Sequence, residues 1–295
     1  MSLPTVIVRL MRLLITNDDG ISAPGIQTLA RAISRWVAVN PAERSAIVVA
    51  PATNQSGMSS AVGDVFEKPS VHYKKVRISG ADNIPAYALE ATPALCTIIG
   101  ALGSFGERPT MVVSGINAGA NVGRSVLHSG TIGAILTGSQ LGLSGLAVSV
   151  QWGDNVHYDT AANVAVEVLD QFFTAPERTL LNLNVPNLAP DELQGVRRGR
   201  ISTAGIIKSA GRSVNGVELG EEGEMPLRFG AATPDLGDVS DEEPDDDGAL
   251  IAAGYASLTP LRSVTEETSA HIDDLVRNSL TAIAAHLDGH RSSSM

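Results

Sequence analysis

The chain has 295 residues, of which 43% are hydrophobic and 18% charged, and its net charge is −11. This composition supplies enough apolar residues for a sizeable core and excludes a wholly disordered chain. The negative charge and the 4% content of aromatic residues argue against binding to a nucleic-acid polymer. The single cysteine, Cys96, excludes an internal disulfide bond. No signal peptide or membrane-length apolar run is recognisable, so we expect a cytoplasmic protein that does not bind membranes.

Apolar runs alternate with helical patterns between residues 11 and 186, which predicts an α/β domain with a mostly parallel sheet covered by helices on both faces. Continuous Val, Ile and Leu runs are typical of such buried strands. Strands are predicted at residues 12–16, 46–50, 111–113, 146–150 and 180–185, with strand-like pieces at 65–89. Helices are predicted at residues 24–37, 93–102, 130–141 and 161–173.

The composition changes after residue 186. Residues 187–250 are rich in glycine, proline and charge without a regular period, which predicts loops and an extended arm. Eight acidic residues between Asp235 and Asp247 predict a solvated loop. A strand-like segment at 255–261 and an amphipathic helix at 272–287 follow, and a helix beyond such an arm favours packing on a second subunit. We therefore divide the chain into a catalytic domain at 11–186 and an arm with an oligomerisation element at 187–295.

Ligands of open α/β sheets bind beyond the carboxyl ends of the strands, so the loops at 17–25, 51–60 and 114–129 are the places to search. The first loop carries Asp18 and Asp19, whose adjacent carboxylates repel each other. A divalent cation relieves that repulsion, and oxygen ligands favour Mg²⁺, Mn²⁺ or Ca²⁺ over zinc. The alternative is that the sequence Asn-Asp-Asp-Gly is simply a good turn.

The third loop is rich in glycine and leads into a helix that begins near Gly130. Helix N-termini present free N–H groups that suit a phosphate, and Asn117 and Asn121 can offer oxygen to a metal or N–H to a phosphate. A long Gly/Asn turn is the alternative. The second loop, which contains Ser56, is uninformative by itself. Together the three loops supply what a metal-bridged phosphate ester needs.

Motifs of rival functions are missing from the sequence. No G-x-G-x-x-G follows the first strand, and neither a P-loop nor a G-x-S-x-G nucleophile elbow is present. The six histidines show no paired metal-ligand spacing. We interpret His128 as a structural or lining residue of the third loop and Cys96 as a core residue.

An ordered series of motifs resembles the SurE survival-protein family. The matching segments, in chain order, are 13–20 (LLITNDDG), 23–26, 49–51, 55–57, 92–93, 112–119 (VVSGINAG), 129–131 (SGT), 157–162 (HYDTAA), 181–186 (LNLNVP) and 254–261. Each motif is weak alone, but their order from residue 11 to residue 261 is specific. The family consists of metal-dependent 5′/3′-nucleotidases.

The resemblance implies a Rossmann-like, doubly wound domain with a protruding hairpin arm and a C-terminal element exchanged between the subunits of a homodimer or homotetramer. It also implies one divalent metal ion per subunit, Mg²⁺ or Mn²⁺ with Ca²⁺ as a possible occupant. The implied metal ligands are Asp18, Asp19, Ser56 and Asn117. The residues implied to bind the substrate phosphate are Asn117, Asn121, Ser129, Gly130 and Thr131.

The chain departs from the family pattern at positions outside the implied metal ligands. His128 stands where a tyrosine is usual, and Leu95 stands where an aspartate is usual before the cysteine. Asp247, seven residues before Gly254, matches a common family aspartate but lies in an acidic stretch. These departures bear on substrate preference and pH optimum more than on reaction type.

Two classes of function follow from the sequence. The first is a phosphomonoesterase that hydrolyses nucleoside 5′- or 3′-monophosphates, with Asp18 and Asp19 as catalytic residues and Asp19 orienting or deprotonating a water. Polyphosphate or another small phosphomonoester is an alternative substrate within this class. The second is a non-catalytic nucleotide- or phosphate-binding module, because the same loops could hold a ligand without a productive water. The sequence does not fix the base preference, the 5′ or 3′ preference or the physiological metal.

Overall fold

The computed structural model describes residues 10–65, 67–202, 243–266, 269, 272–274, 276–277 and 279–280. The strands are β1 (Met11–Thr16), β2 (Arg44–Pro51), β3 (Tyr73–Val76), β4 (Ala86–Leu89), β5 (Met111–Ala118), β6 (Ser144–Val150), β7 (Leu180–Val185), β8 (Val196–Arg198) and β9 (Ala256–Leu261). The α-helices are α1 (Pro24–Val39), α2 (Pro93–Ala101), α3 (Gly130–Gln140), α4 (Tyr158–Gln171) and α5 (Asp247–Ala252). A 3₁₀-helix, Gly123–His128, precedes α3.

The strands form one sheet in the order β3-β4-β2-β1-β5-β6-β7-β9-β8. The six strands from β4 to β7 are mutually parallel, whereas β3 and β9 run antiparallel to their inner neighbours. Parallel neighbours require crossover connections, and α1 to α4 provide most of these. The predicted α/β fold with a mostly parallel, doubly wound sheet is confirmed.

Alternating side chains of β1 bury both faces of the sheet. Leu13 and Ile15 lie in the same apolar cluster as residues of α1 and α4. Leu14 points the other way, into a second cluster with residues of α2 and α3. All three side chains are almost completely buried, and each stabilises the fold by about 1.5–3 kcal/mol relative to exposure. This two-sided burial explains why the sequence reads as a continuous apolar run.

Helix α1 illustrates how the sequence sets the element boundaries. Pro24 occupies the first turn, where its missing N–H costs no hydrogen bond. Ile26, Leu29 and Ile33 follow at helical spacing and are fully buried against the sheet. The helix ends at Val39, and the N–H of Asn40 caps the carbonyl of Val37.

The strand order changes direction between β1 and β5. From β1 the chain builds outward through β2 to β4, and it then crosses back to place β5 on the other side of β1. Such a switch point opens a crevice at the carboxyl ends of the two strands, and ligands of this fold class bind there. The loop after β1 and the segment after β5 are therefore the ones that the fold brings together.

Strand β5 is longer than the sequence predicted. The predicted loop from residue 114 begins instead as strand, because Asn117 and Ala118 pair with Ser149 and Val150 of β6 after a register irregularity. Asn117 is thus held by a strand rather than by a free loop. The structure also contains β8 and α5 within the segment that was predicted as loops and arm, since β8 pairs with β9.

The chain divides into two compact units, with the boundary between Leu261 and Arg262. The first unit runs past residue 186 because β9 pairs with β7, and the domain division at 186 stays a prediction. Residues 203–242, which make up most of the segment predicted as loops and an extended arm, lie outside the described residues, and the protruding hairpin stays a prediction. In the C-terminal segment, residues 272–274, 276–277 and 279–280 are helical, in agreement with the predicted helix, and its role in oligomerisation stays a prediction. Of the helices that the structure describes, none has the length and apolar character to cross a membrane.

Candidate active site

Asp18 is a buried carboxylate at the N-terminus of α3. It follows β1 and is only 3% exposed, and its Oδ1 accepts a 2.6 Å hydrogen bond from the Thr131 hydroxyl. Burial raises the pKa of Asp18, while hydrogen bonds from Thr131 and from the backbone of Gly130 oppose that rise. Gly130 permits this contact, because a Cβ there would lie 2.7 Å from the Cβ of Asp18. The carboxylate therefore needs a glycine at the start of the helix.

Asp19 lies beside Asp18 in a less complete polar environment. Its Oδ2 accepts one long hydrogen bond, 3.4 Å, from the backbone N–H of Ala118. Burial, and next the negative charge of Asp18, raise the pKa of Asp19 to about 6. The repulsion between neighbouring acids that the sequence predicted is therefore present, and the two carboxylates lie together at the switch point.

Asn117 is the penultimate residue of β5 and directly precedes Ala118, whose N–H donates to Asp19. Its side-chain Nδ2 donates a 2.7 Å hydrogen bond to the carbonyl of Gly119. That bond fixes the amide and directs its only hydrogen-bonding donor group at the backbone, so Oδ1 remains as a neutral oxygen ligand. The structure thus brings Asp18, Asp19 and Asn117 to one end of the sheet.

The loop after β2 packs closely on both β1's loop and α3. The N–H of Gln55 donates a 2.6 Å hydrogen bond to the carbonyl of Asp18. The exposed Ser56 is the next residue along the chain, so its backbone lies close to the acids. The backbone of Ser59 touches Gly133 of α3 so closely that a Cβ at Gly133 would overlap it. Ser56, which the sequence alone left uninformative, therefore lies at the same edge as the two acids.

Among the described residues there is no group of three or more His, Cys, Asp or Glu side chains that could hold a metal. The acidic part of the site is the pair Asp18 and Asp19, and its other oxygens are the neutral ones of Ser56 and Asn117. Two clustered carboxylates with neutral oxygens match the ligand chemistry of Mg²⁺, Mn²⁺ and Ca²⁺. Burial raises the pKa of both carboxylates, and the charge of Asp18 raises that of Asp19 further; a bound cation would relieve both effects, so these residues fit such an ion.

The three residues predicted to bind phosphate at α3 make hydrogen bonds within the protein. Ser129 caps α3, since its Oγ accepts from the N–H of Ile132 at 3.2 Å. Its O–H remains a donor, because only the oxygen lone pair is used. Gly130 and Thr131 contact Asp18 as described above. The start of α3 is thus tied to the acid pair, and phosphate binding by these residues stays a prediction.

Asn121 lies in a buried network that the sequence did not predict. Its Nδ2 donates to Ser149 Oγ at 2.8 Å, and its backbone N–H donates to Asn184 Oδ1 at 2.7 Å. Its carbonyl accepts from the side chains of Asn182 and Asn184. The sequence feature that could have indicated this network is the pattern Leu-Asn-Leu-Asn in β7, because alternation puts both asparagines on one face of the sheet. The network holds the segment between β5 and the 3₁₀-helix.

Asp247 fixes the next part of that segment. It is fully buried, and its carboxylate accepts backbone N–H groups of Gly123, Ser202 and Gly248 at 3.0 to 3.2 Å. The prediction of a solvated acidic loop is therefore wrong for Asp246 and Asp247, because backbone amides replace the water that their burial removes. Burial raises the pKa of Asp247 and these hydrogen bonds lower it.

Tyr158, at the start of α4, lies near Asp19, although the sequence predicted no role for it. Its pKa is raised by burial and, next, by the negative charge of Asp19. His128 is exposed at the end of the 3₁₀-helix. Cys96 is fully buried, which confirms it as a core residue, and burial raises the pKa of its thiol.

Comparisons with known proteins agree with this architecture. A family model described as "Survival protein SurE" matches residues 13–207. A protein named 5′/3′-nucleotidase SurE from Yersinia pseudotuberculosis is 36% identical over 255 residues, which cover 86% of this chain and 90% of that protein. One of the same name from Citrobacter koseri is 36% identical over 275 residues, 92% of this chain and 98% of that protein. The crystal structure of SurE from Aquifex aeolicus has a TM-score of 0.64 at 24% identity, over 86% of this chain and 95% of that one.

Proposed function

This chain belongs to the SurE survival-protein family, and on that premise we propose that it hydrolyses nucleoside 5′- and 3′-monophosphates to a nucleoside and phosphate. The observation that carries the proposal is the pair of adjacent acids at the sheet's switch point: Asp18 is buried and bonded to Thr131 at the start of α3, and Asp19 beside it is half-buried. Relatives named 5′/3′-nucleotidase SurE match most of the chain at about 36% identity, which supports the same reaction. The enzyme is then a phosphoric monoester hydrolase.

We further propose that one divalent ion per subunit, Mg²⁺ or Mn²⁺, is held by Asp18, Asp19, Ser56 and Asn117. Ca²⁺ would also fit these oxygen ligands. When bound, the ion would supply positive charge that polarises a phosphoryl oxygen and lowers the pKa of a water.

The chain's own residues perform the remaining work in this proposal. Asp19, whose carboxylate accepts a single long hydrogen bond from the protein, orients the attacking water or accepts its proton. Thr131 holds the Asp18 carboxylate in place. The hydroxyl of Ser129 and the second amide hydrogen of Asn121, whose first is bonded to Ser149, contact the phosphoryl oxygens, and the positive end of the α3 dipole stabilises their charge.

The substitution Asp18→Asn tests the proposed site. We expect it to abolish phosphate release from adenosine 5′-monophosphate, because it removes a negative charge and breaks the bond pattern at Thr131. Phosphate release is measured with Mn²⁺ and after EDTA treatment. Asp82→Asn, at an exposed acid that pairs with Arg77, is the matched control and retains activity. Full turnover by Asp18→Asn would refute the site. If the wild-type protein binds the nucleotide but releases no phosphate from it, a non-catalytic binding module is favoured instead.

We also propose that the protein is a cytoplasmic homodimer or homotetramer. Its one cysteine is a buried free thiol, which suits a reducing compartment. The helical C-terminal segment supports the assembly, since a helix beyond an extended arm commonly packs on a second subunit. Light scattering coupled to size-exclusion chromatography measures the mass directly, and a monomer at all concentrations would contradict this proposal.

A further inference from the structure

An exposed tryptophan lies two residues beyond the end of β6, the strand that pairs with Asn117 and Ala118 of β5. Trp152 lies in the loop between β6 and α4 and is 61% exposed, whereas Trp36, the other tryptophan of the chain, is 5% exposed. We infer that Trp152 is the platform on which the base of the nucleotide stacks, and that it makes the enzyme prefer nucleotides to phosphate esters without a base. This inference rests on the proposed function.

The loop of residues 151–157 begins beside the site. Val150, the last residue of β6, pairs with Ala118, and its carbonyl accepts a 2.9 Å hydrogen bond from the N–H of Gly119. Adjacent strands lie about 4.8 Å apart, and two residues of chain span at most about 7 Å. The α-carbon of Trp152 therefore lies within about 12 Å of Ala118, whose N–H bonds Asp19. A nucleotide that places its phosphate at the acids can reach this side chain with its base.

The same loop also ends beside the site. Tyr158 follows it, and the ring of Tyr158 packs against Gly25, where a Cβ would lie 3.2 Å from the ring. Gly25 in turn touches the backbone of Ile116 in β5. The loop is therefore held at one end by the pairing of β6 with β5 and at the other by the packing of Tyr158 on Gly25, so both of its ends lie next to the segment that carries Asn117.

Asn187 holds this loop in a defined shape. Its Oδ1 accepts from the N–H of His157 at 2.8 Å, its Nδ2 donates to the carbonyl of Asp154 at 3.2 Å, and its own N–H donates to Gln151 Oε1 at 3.4 Å. A loop fixed in this way presents Trp152 without the entropy cost of ordering it at each binding event. Pre-organisation is what a stacking platform requires.

Indole stacking matches what the proposed substrate offers beyond its phosphate. The acids and α3 contact only the charged end of a nucleotide, so they cannot distinguish it from another phosphomonoester. A tryptophan face recognises any base because every base has a π surface, which predicts broad base tolerance rather than selection of one base. The preference for a nucleotide over a sugar phosphate then depends on Trp152.

Steady-state kinetics on one substrate that carries a nucleobase and one that lacks it test the inference. For Trp152→Ala we expect KM for adenosine 5′-monophosphate to rise about tenfold with kcat retained, and KM for ribose 5-phosphate to stay unchanged. Trp152→Phe should keep KM for the nucleotide close to the wild-type value. Val39→Ala, at a residue that is 80% exposed at the end of α1, is the control and leaves both constants unchanged. Equal KM values for the nucleotide in wild type and Trp152→Ala would overturn the inference while the proposed function stands.

Tryptophan fluorescence gives a second reading that does not depend on turnover. Adenosine, the uncleaved product, should quench the emission of the wild type saturably, and ribose should not. In Trp152→Phe only the buried Trp36 remains, and the quenching should disappear. Quenching that persists in this variant would overturn the inference. Absence of phosphate release from every substrate would contradict the proposed function instead, and the titration would still decide whether Trp152 meets the base.

Discussion

Two pairs of adjacent aspartates in this molecule have opposite environments. Asp246 and Asp247, at the start of α5, are buried with their charge met by backbone amides: three for Asp247, and the N–H of Glu243 for Asp246. Asp18 is likewise well bonded, but its neighbour Asp19 has only a 3.4 Å contact and a pKa raised to about 6. A buried acid with a complete set of donors stabilises the fold, whereas an acid with an incomplete set is available for chemistry.

The largest expected effect comes from exchanging one acid in each pair for its amide. Asp19→Asn should lower kcat for adenosine 5′-monophosphate by at least about a hundredfold, because the amide can neither accept a proton nor balance a cation. Asp246→Asn, the matched change in the other pair, should leave kcat unchanged. Steady-state phosphate release measures both. A similar loss of kcat in the two variants would break the distinction between the pairs.

Asp247→Asn should have its main effect on stability. The amide offers one oxygen where the carboxylate offered two, and its NH₂ group meets donors, so at least one buried N–H loses its acceptor. We expect a loss of about 2 kcal/mol in the free energy of unfolding by urea denaturation. Asp246→Asn, which loses only the contact with Glu243, should lose less. If both variants are as stable as the wild type, the backbone hydrogen bonds to Asp247 do not stabilise the fold as we expect.

The smallest effect is a pH dependence of stability in protein treated with EDTA. The pKa of Asp19 is about 6 in the folded chain against 3.8 ordinarily, so the folded state holds this proton more tightly than the unfolded state. The resulting stabilisation is complete below pH 3.8 and is lost as the pH rises through about 6. The Tm of the wild type should therefore fall relative to that of Asp19→Asn across this window. Parallel Tm curves would show that burial and the charge of Asp18 do not raise the pKa of Asp19 in the folded chain.

Much of the fold could be predicted because its strands are specified locally. The segments that form β1, β5, β6 and β7 are rich in buried apolar residues, Asp18 and Asp19 follow β1, and Asn117 lies near the end of β5. The identity of the acid pair thus followed from two adjacent residues and the position of one strand. The family resemblance added Ser56, whose loop meets the acids through the hydrogen bond of Gln55.

The parts that were not predicted depend on contacts between distant residues. Burial of Asp247 requires Gly123, which is 124 residues away, and no local pattern distinguishes it from its solvated acidic neighbours. Strand β8 has three exposed residues and exists through pairing with β9. The network around Asn121 likewise joins β6 and β7 to a loop 61 to 63 residues earlier than the asparagines of β7. Alternation places Asn182 and Asn184 on one face of the sheet, but composition and periodicity do not identify the distant residues with which such side chains pair.

The tight contacts of Gly130 with Asp18 and of Gly133 with Ser59 have a consequence for how the enzyme can be inactivated. Both contacts exist because a methyl group is missing, so the spacing between the acids, the serine loop and the helix is a property of the main chain. A single added carbon at either glycine would push the helix away from the acid or from the serine loop. Such a substitution would keep every charged and hydroxyl group of the site but increase the distances between them, so they could no longer contact one substrate together.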